Sequence, residues 1–131
     1  MKRKARKVSL AELPPIRLAG RTNYKMFDGG EEGTEHLAFG LVVVDPASEC
    51  VPGHSHGEQE EIYFCLRGTG VVEVDAGEEI VLNEREAVYI PRQGYHCLKN
   101  PGDEILEVLW IISPPGWIGD HDAHFRDRAG G

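Results

Sequence analysis

The chain's 131 residues are the length of one domain, and 40% hydrophobic with 27% charged residues excludes disorder as its general description. The formal net charge is −8, and five of the 14 cations (Lys2, Arg3, Lys4, Arg6, Lys7) fall in the first seven residues, so the rest holds nine against 22 acids. A body this acidic repels phosphate backbones, which argues against nucleic-acid binding, and no run approaches the ~20 apolar residues of a membrane-spanning helix.

In chain order, residues 1–20 have no sustained period and contain Pro14-Pro15. They are expected to form a basic, flexible N-terminal arm. Ser9, Glu12, Pro14, Pro15 and Arg17 interrupt Val8 to Leu18, so no apolar core of a secretory signal follows the charges. Arg21 to Gly33 ends in the turn signal Asp28-Gly29-Gly30. Glu35 to Asp45 contains Val42-Val43-Val44 and stops at Pro46, a strand pattern. Cys50 to Glu60 is polar, and Glu61 to Leu66 reads as a strand closed by Arg67-Gly68-Thr69-Gly70. Val71 to Asp75 and Glu79 to Leu82, joined at Ala76-Gly77, read as a hairpin. Short strands follow at Ala87 to Ile90 and Tyr95 to Lys99, and a long apolar one at Glu104 to Ile112.

Glycine and proline number 16 and 8, without a repeat period, which means many tight turns. Seven or eight short strands at near-regular spacing predict an all-β sandwich or barrel over residues 21–113. Residues 114–131 form a Gly-, Asp-, His- and Arg-rich C-terminal extension. The three cysteines, Cys50, Cys65 and Cys97, have no Cys-x-x-Cys spacing. They are expected to be small buried fillers in a reduced, cytoplasmic setting.

The stretch that carries chemistry is Pro52-Gly53-His54-Ser55-His56-Gly57-Glu58-Gln59-Glu60-Glu61. Residues i and i+2 of a strand share a face, with Cα atoms ~6.6 Å apart. Imidazoles so placed can converge on one ion with bonds of ~2.0–2.1 Å. Glu61 opens the next strand and can return to the same centre. A fourth ligand has to come from elsewhere, and His96 follows a turn 35 residues later. Glu58 and Glu60 are expected as exposed charges, and His36, His121 and His124 as solvated.

His54-x-His56-x4-Glu61-x6-Gly68 resembles the first cupin motif, and Pro91, His96 and Asn100 stand at the matching places of the second. The resemblance covers roughly residues 35–113 and implies a cupin-type jelly-roll β-barrel. It also implies one divalent metal ion inside the barrel, with Mn, Fe, Zn and Ni not distinguished, held by His54, His56, Glu61 and His96. Three glycines of the motifs are replaced, by Ser48, Arg85 and Gln93, which bears on turn geometry and not on the ligand set.

Strand parity sends Tyr63 and Cys65 inward with Glu61, Leu98 inward with His96, and Trp110 inward on the last strand. Arg67 and Arg92 are expected at the surface, and no inward Arg or Lys stands out as an anion clamp. Tyr63 is the candidate for moving a proton, a structural core role being its alternative. The expected function is a metal-dependent enzyme acting on a small oxygenated molecule, oxo-acid, enolisable or sugar-like, by isomerase, lyase or decarboxylase, or dioxygenase chemistry. The alternative is a non-catalytic, metal-containing ligand-binding or sensor barrel. A homodimer is expected in which residues of segment 8–27 add to the partner's sheet.

Overall fold

The computed structural model describes residues 3–49, 53 and 57–116. Among these are ten strands: β1 (Ile16–Leu18), β2 (Arg21–Phe27), β3 (Ala38–Val44), β4 (Ser48–Glu49), β5 (Glu60–Arg67), β6 (Gly70–Val74), β7 (Glu79–Leu82), β8 (Ala87–Ile90), β9 (His96–Asn100) and β10 (Leu106–Ser113). They form two antiparallel sheets, β1-β2-β3-β10-β5-β8 and β4-β9-β6-β7. This is a jelly roll of two facing sheets, with the core between them.

Alternation along the strands makes that core. In β5, Glu61, Tyr63 and Cys65 are buried while Glu60, Ile62 and Leu66 are exposed; in β10, Leu106, Val108, Trp110 and Ile112 are buried. Tyr63, Cys65 and the four buried β10 residues join Val42, Val44, Val72, Leu82, Val88, Ile90 and Leu98 in one continuous apolar cluster. Each such side chain contributes about 1.5–3 kcal/mol by leaving water. Both the Tyr63 parity and the Trp110 parity read from the sequence are as found. Cys65 and Cys97 are buried, and Cys50 lies outside the described residues.

Two parts of the N-terminal arm differ from expectation. Ile16–Leu18 is a strand, paired with β2 through Ile16↔Asn23 and Leu18↔Arg21. Residues 21–27 pair with β3 through Tyr24↔Leu41 and its neighbours, which leaves β1 as the edge of the six-stranded sheet. The basic end also has fixed contacts. Arg3 donates to the carbonyls of Gly33 (2.8 Å) and Gly30 (3.1 Å) and pairs with Glu35, and the Arg6 guanidinium lies 5.4 Å from the Phe27 ring centre. Cations on carbonyls and on an aromatic face offset the ordering entropy that made an apolar-poor arm look free.

Asn100 closes one end of the jelly roll. Its amide donates to the carbonyls of Val44 (3.1 Å), Asp45 (3.1 Å) and Glu104 (2.7 Å), and its oxygen accepts from Gly102 N–H (3.2 Å). One buried side chain thereby ties the end of β3 to the turn that holds Gly102 and Glu104. At the turns, Arg85 and Gln93 adopt φ of +68° and +63°, the left-handed region where the cupin motifs carry glycine.

Candidate metal centre

Glu61 lies in β5, in the six-stranded sheet, held between Ile112 of β10 and Ile90 of β8. His96 opens β9 in the facing sheet, opposite Val74 of β6. Their side chains meet between the sheets, His96 Nε2 lying 2.8 Å from Glu61 Oε1, with His96 fully buried and Glu61 3% exposed. A carboxylate among isoleucines pays several kcal/mol of desolvation unless a positive centre faces it.

The imidazole orientation follows from its other nitrogen. His96 Nδ1 lies 3.1 Å from Gly94 O, and a carbonyl only accepts, so Nδ1 carries the hydrogen. Nε2 is therefore the atom offered to Glu61. The carbonyl is presented by the turn Pro91-Arg92-Gln93-Gly94, where Gly94 N–H bonds Pro91 O at 3.1 Å. A Cβ on Gly94 would come within 3.1 Å of that same oxygen, so glycine lets the turn close tightly.

Nδ1 holding its proton on a carbonyl is the arrangement that prepares Nε2 as a metal ligand. Adjacent donors around an octahedral ion with bonds of ~2.0–2.2 Å lie ~2.8–3.1 Å apart. The 2.8 Å Nε2–Oε1 separation fits that edge, and one imidazole with one carboxylate is a donor set suited to a divalent first-row metal. Tyr63, two residues after Glu61, stands edge-on to the His96 ring, with centroids 5.9 Å apart and planes at 72°. Its ring restricts the tilt of the imidazole.

Of the sequence-derived site residues, then, Glu61, His96 and Tyr63 come together. His54 and His56 lie outside the described residues, as do His121 and His124. Among the described residues, no group of three His, Cys, Asp or Glu side chains gathers. Glu58 and Glu60 are exposed, as expected: Glu58 faces Arg92 at 3.4 Å, and Glu60 accepts a 2.6 Å hydrogen bond from the Tyr89 hydroxyl. Arg67 and Arg92 are exposed, and so is His36.

Sequence reasoning missed two buried polar groups. Trp110, paired with Tyr63 in the sheet, donates its indole N–H to Asn23 Oδ1 at 2.8 Å. Its ring crosses β3 at Gly40, where a Cβ would fall 2.2 Å from Trp110 Cζ2. Arg21 is 4% exposed, and one of its guanidinium nitrogens donates to Ala19 O at 3.0 Å. It pairs with Val44, at the end of β3 away from Ala38, whereas Ala38 shares Ile112 with Glu61. The buried Arg21 therefore belongs to the opposite end of the fold from Glu61. The alternation Arg21, Asn23 on one side and Thr22, Tyr24 on the other was the available signal.

Comparison with known proteins gives the same frame. The chain is 40% identical over 76 residues to a mannose-1-phosphate guanylyltransferase of Escherichia coli, a match covering 57% of this chain and 16% of that protein. The chain thus spans only a small part of the curated relatives of that name. Among solved structures, KdgF from Halomonas sp. superposes with a TM-score of 0.73 at 19% identity, covering 86% of this chain and 96% of that one. The polyketide cyclase RemF from Streptomyces resistomycificus gives 0.72 at 21% identity, covering 86% and 83%. These two likenesses are of fold. Residues 40–112 match the model of the cupin domain, and the chain belongs to the cupin family.

Proposed function

We propose that this protein is a divalent-metal-binding cupin enzyme that acts on a small oxygenated molecule, with His54, His56, Glu61 and His96 as the metal ligands. The observation that carries the reading is the buried His96–Glu61 pair across the two sheets, with Nε2 turned to the carboxylate and Nδ1 tied to Gly94 O. The described flanks of the His54–His56 segment agree with it. Gly53 packs so close to Tyr95, the residue before His96, that a Cβ would come 2.2 Å from its hydroxyl oxygen. On the other side, Gly57 to Glu60 leads directly into Glu61.

The metal, when bound, supplies a Lewis acid for an oxo-acid, enolisable or sugar-like substrate, with isomerase, lyase or decarboxylase, or dioxygenase chemistry within its range. The protein's part is to orient and to exclude water. Glu61 and His96 are fixed by backbone pairing on rigid strands, and Ile90, Ile112 and Ala38 keep the surroundings of the carboxylate dry. Tyr63, beside His96 on the inner face, holds the hydroxyl proposed to move a proton. The enzyme reading is supported by curated relatives whose names denote catalysts, the mannose-1-phosphate guanylyltransferases among them.

The test is a screen of the metal-loaded protein against oxo acids, enolisable ketones and sugar derivatives, with and without dioxygen. Turnover that vanishes on chelation, and that Tyr63→Phe abolishes while bound metal is retained, is the expected result. Metal-dependent binding of a compound without turnover would favour the sensor barrel instead.

A further inference from the structure

Strand β10 ends at Ser113 and is followed by Pro114 and Pro115. Neither proline has an N–H to give, so a backbone ladder cannot continue along them. The pairing of β5 with β10 accordingly stops at Glu60↔Ser113. One residue beyond that limit, the Gln59 side chain takes the ladder's place. Its Nε2 donates to Pro114 O at 2.8 Å and approaches Pro115 O at 3.5 Å. Both partners are carbonyls that only accept, which fixes the orientation of the amide.

The acceptors sit on a built platform. Ser113 Oγ donates to His36 O at 2.5 Å, and Gly116 N–H donates to Asp28 Oδ1 at 2.9 Å. That same oxygen accepts from Gly29 N–H at 2.9 Å. Pro115 packs on Gly29 so closely that a Cβ on this glycine would come 3.0 Å from Pro115 Cγ. The loop between β2 and β3 therefore holds residues 113–116, and these in turn hold Gln59. Its neighbours are tied differently. Glu58 meets Arg92 at 3.4 Å, both exposed, where water competes for the pair. Glu60 is already fixed by the ladder.

We propose that Gln59 is a positioning residue for the metal centre. It stands two residues before Glu61 and three after His56, and its amide aims the chain between them so that the ligands are ordered before an ion arrives. The inference rests on the metal reading above and adds to it a residue outside the ligand set. A preorganised site binds more tightly because its ordering entropy is already lost in the stripped protein. Without the Gln59 bonds, the stripped chain gains freedom that offsets the lost hydrogen bonding. In the loaded protein the ion keeps the chain ordered, nothing offsets that loss, and it shows as weaker metal binding. A merely structural glutamine would do the reverse, lowering the stability of the stripped protein and leaving metal affinity alone.

The test is a titration of the stripped full chain with manganese, iron, zinc and nickel in turn, in competition with an indicator dye, beside thermal unfolding of the stripped protein. Gln59→Met keeps the length of the side chain and removes the donor. It should raise the metal Kd about 3–10-fold, the loss of one or two neutral hydrogen bonds. The ion count at saturation and the Tm of the stripped protein should stay those of the wild type. Gln59→Ala should behave alike, and it carries the test should Gln59→Met fail to fold. Tyr89→Phe removes the 2.6 Å hydrogen bond to Glu60, which the ladder holds in any case, and should leave the Kd unchanged. An unchanged Kd in the Gln59 variants, with or without a fall in the stripped Tm, would overturn the proposal and leave the metal reading intact. So would an equal rise in Tyr89→Phe. A wild type that binds none of these ions would instead overturn the metal reading, and this inference with it.

Discussion

Replacing Gly40 by alanine tests how the inner wall beside the candidate metal centre is built. The new Cβ would stand 2.2 Å from Trp110 Cζ2, 2.6 Å from Cε2 and 2.4 Å from the Tyr24 carbonyl oxygen. Ordinary carbon contacts are ~3.5–4.0 Å, so something must move by more than an ångström. The carbonyl belongs to β2, which is paired with β3 on one side and β1 on the other, and it yields poorly. The indole is 2% exposed and is held by its bond to Asn23. Overpacking of this kind costs ~1–3 kcal/mol. Displacing the ring also leaves buried Asn23 without its donor, for a further ~1–3 kcal/mol. The expected loss is therefore about 2–6 kcal/mol in urea unfolding followed by circular dichroism, a drop of very roughly 8–24 °C in Tm for a chain of this size. A Gly40→Ala protein within 1 kcal/mol of wild type would refute this account of why Trp110 lies where it does.

Two further predictions concern turns and thiols. Arg85→Gly and Gln93→Gly relieve left-handed strain at φ of +68° and +63°, and each should raise stability by about 0.5–1 kcal/mol in the same assay; a loss at both positions would contradict it. Burial pushes the Cys65 thiol above its ordinary value of 9.0, and the nearby Glu84 and Glu86 carboxylates push in the same direction. The folded state therefore keeps a proton that the unfolded chain gives up, and stability should fall as pH rises above ~9. That part of the slope should be absent in Cys65→Ala, and an unchanged slope would speak against it.

How far the sequence alone reached depends on what kind of signal each residue left. The strand alternation Glu61, Tyr63, Cys65 and the run Leu106 to Ile112 fixed inward faces because a period of two leaves only one choice once one residue is buried. Glu61 and His96 were legible because the cupin spacing ties them together across 35 residues, and the two sheets do bring them to 2.8 Å. The arm was harder. Ile16–Leu18 is three residues long, too short for any period, and becomes a strand only because the turn at Ala19-Gly20 folds it onto β2. The contacts of Arg3 and Arg6 are tertiary, and composition suggests only solvation for such residues. Asn23 left no mark either, since an asparagine in a polar stretch reads as a turn until Trp110, 87 residues away, supplies its donor. The left-handed turns at Arg85 and Gln93 kept the backbone of the lost glycines, which shows neighbouring pairing outweighing local propensity.

The central claim is tested most directly by counting bound metal. The chain, stripped of metal and then exposed separately to manganese, iron, zinc and nickel, is desalted and measured by elemental analysis. The account predicts about one ion per chain for the wild type with at least one of these metals, and loss of most of it in His96→Ala and in Glu61→Gln while circular dichroism still reports a folded β protein. Full occupancy in a His54→Ala, His96→Ala double variant, or no ion bound by the wild type, would contradict it.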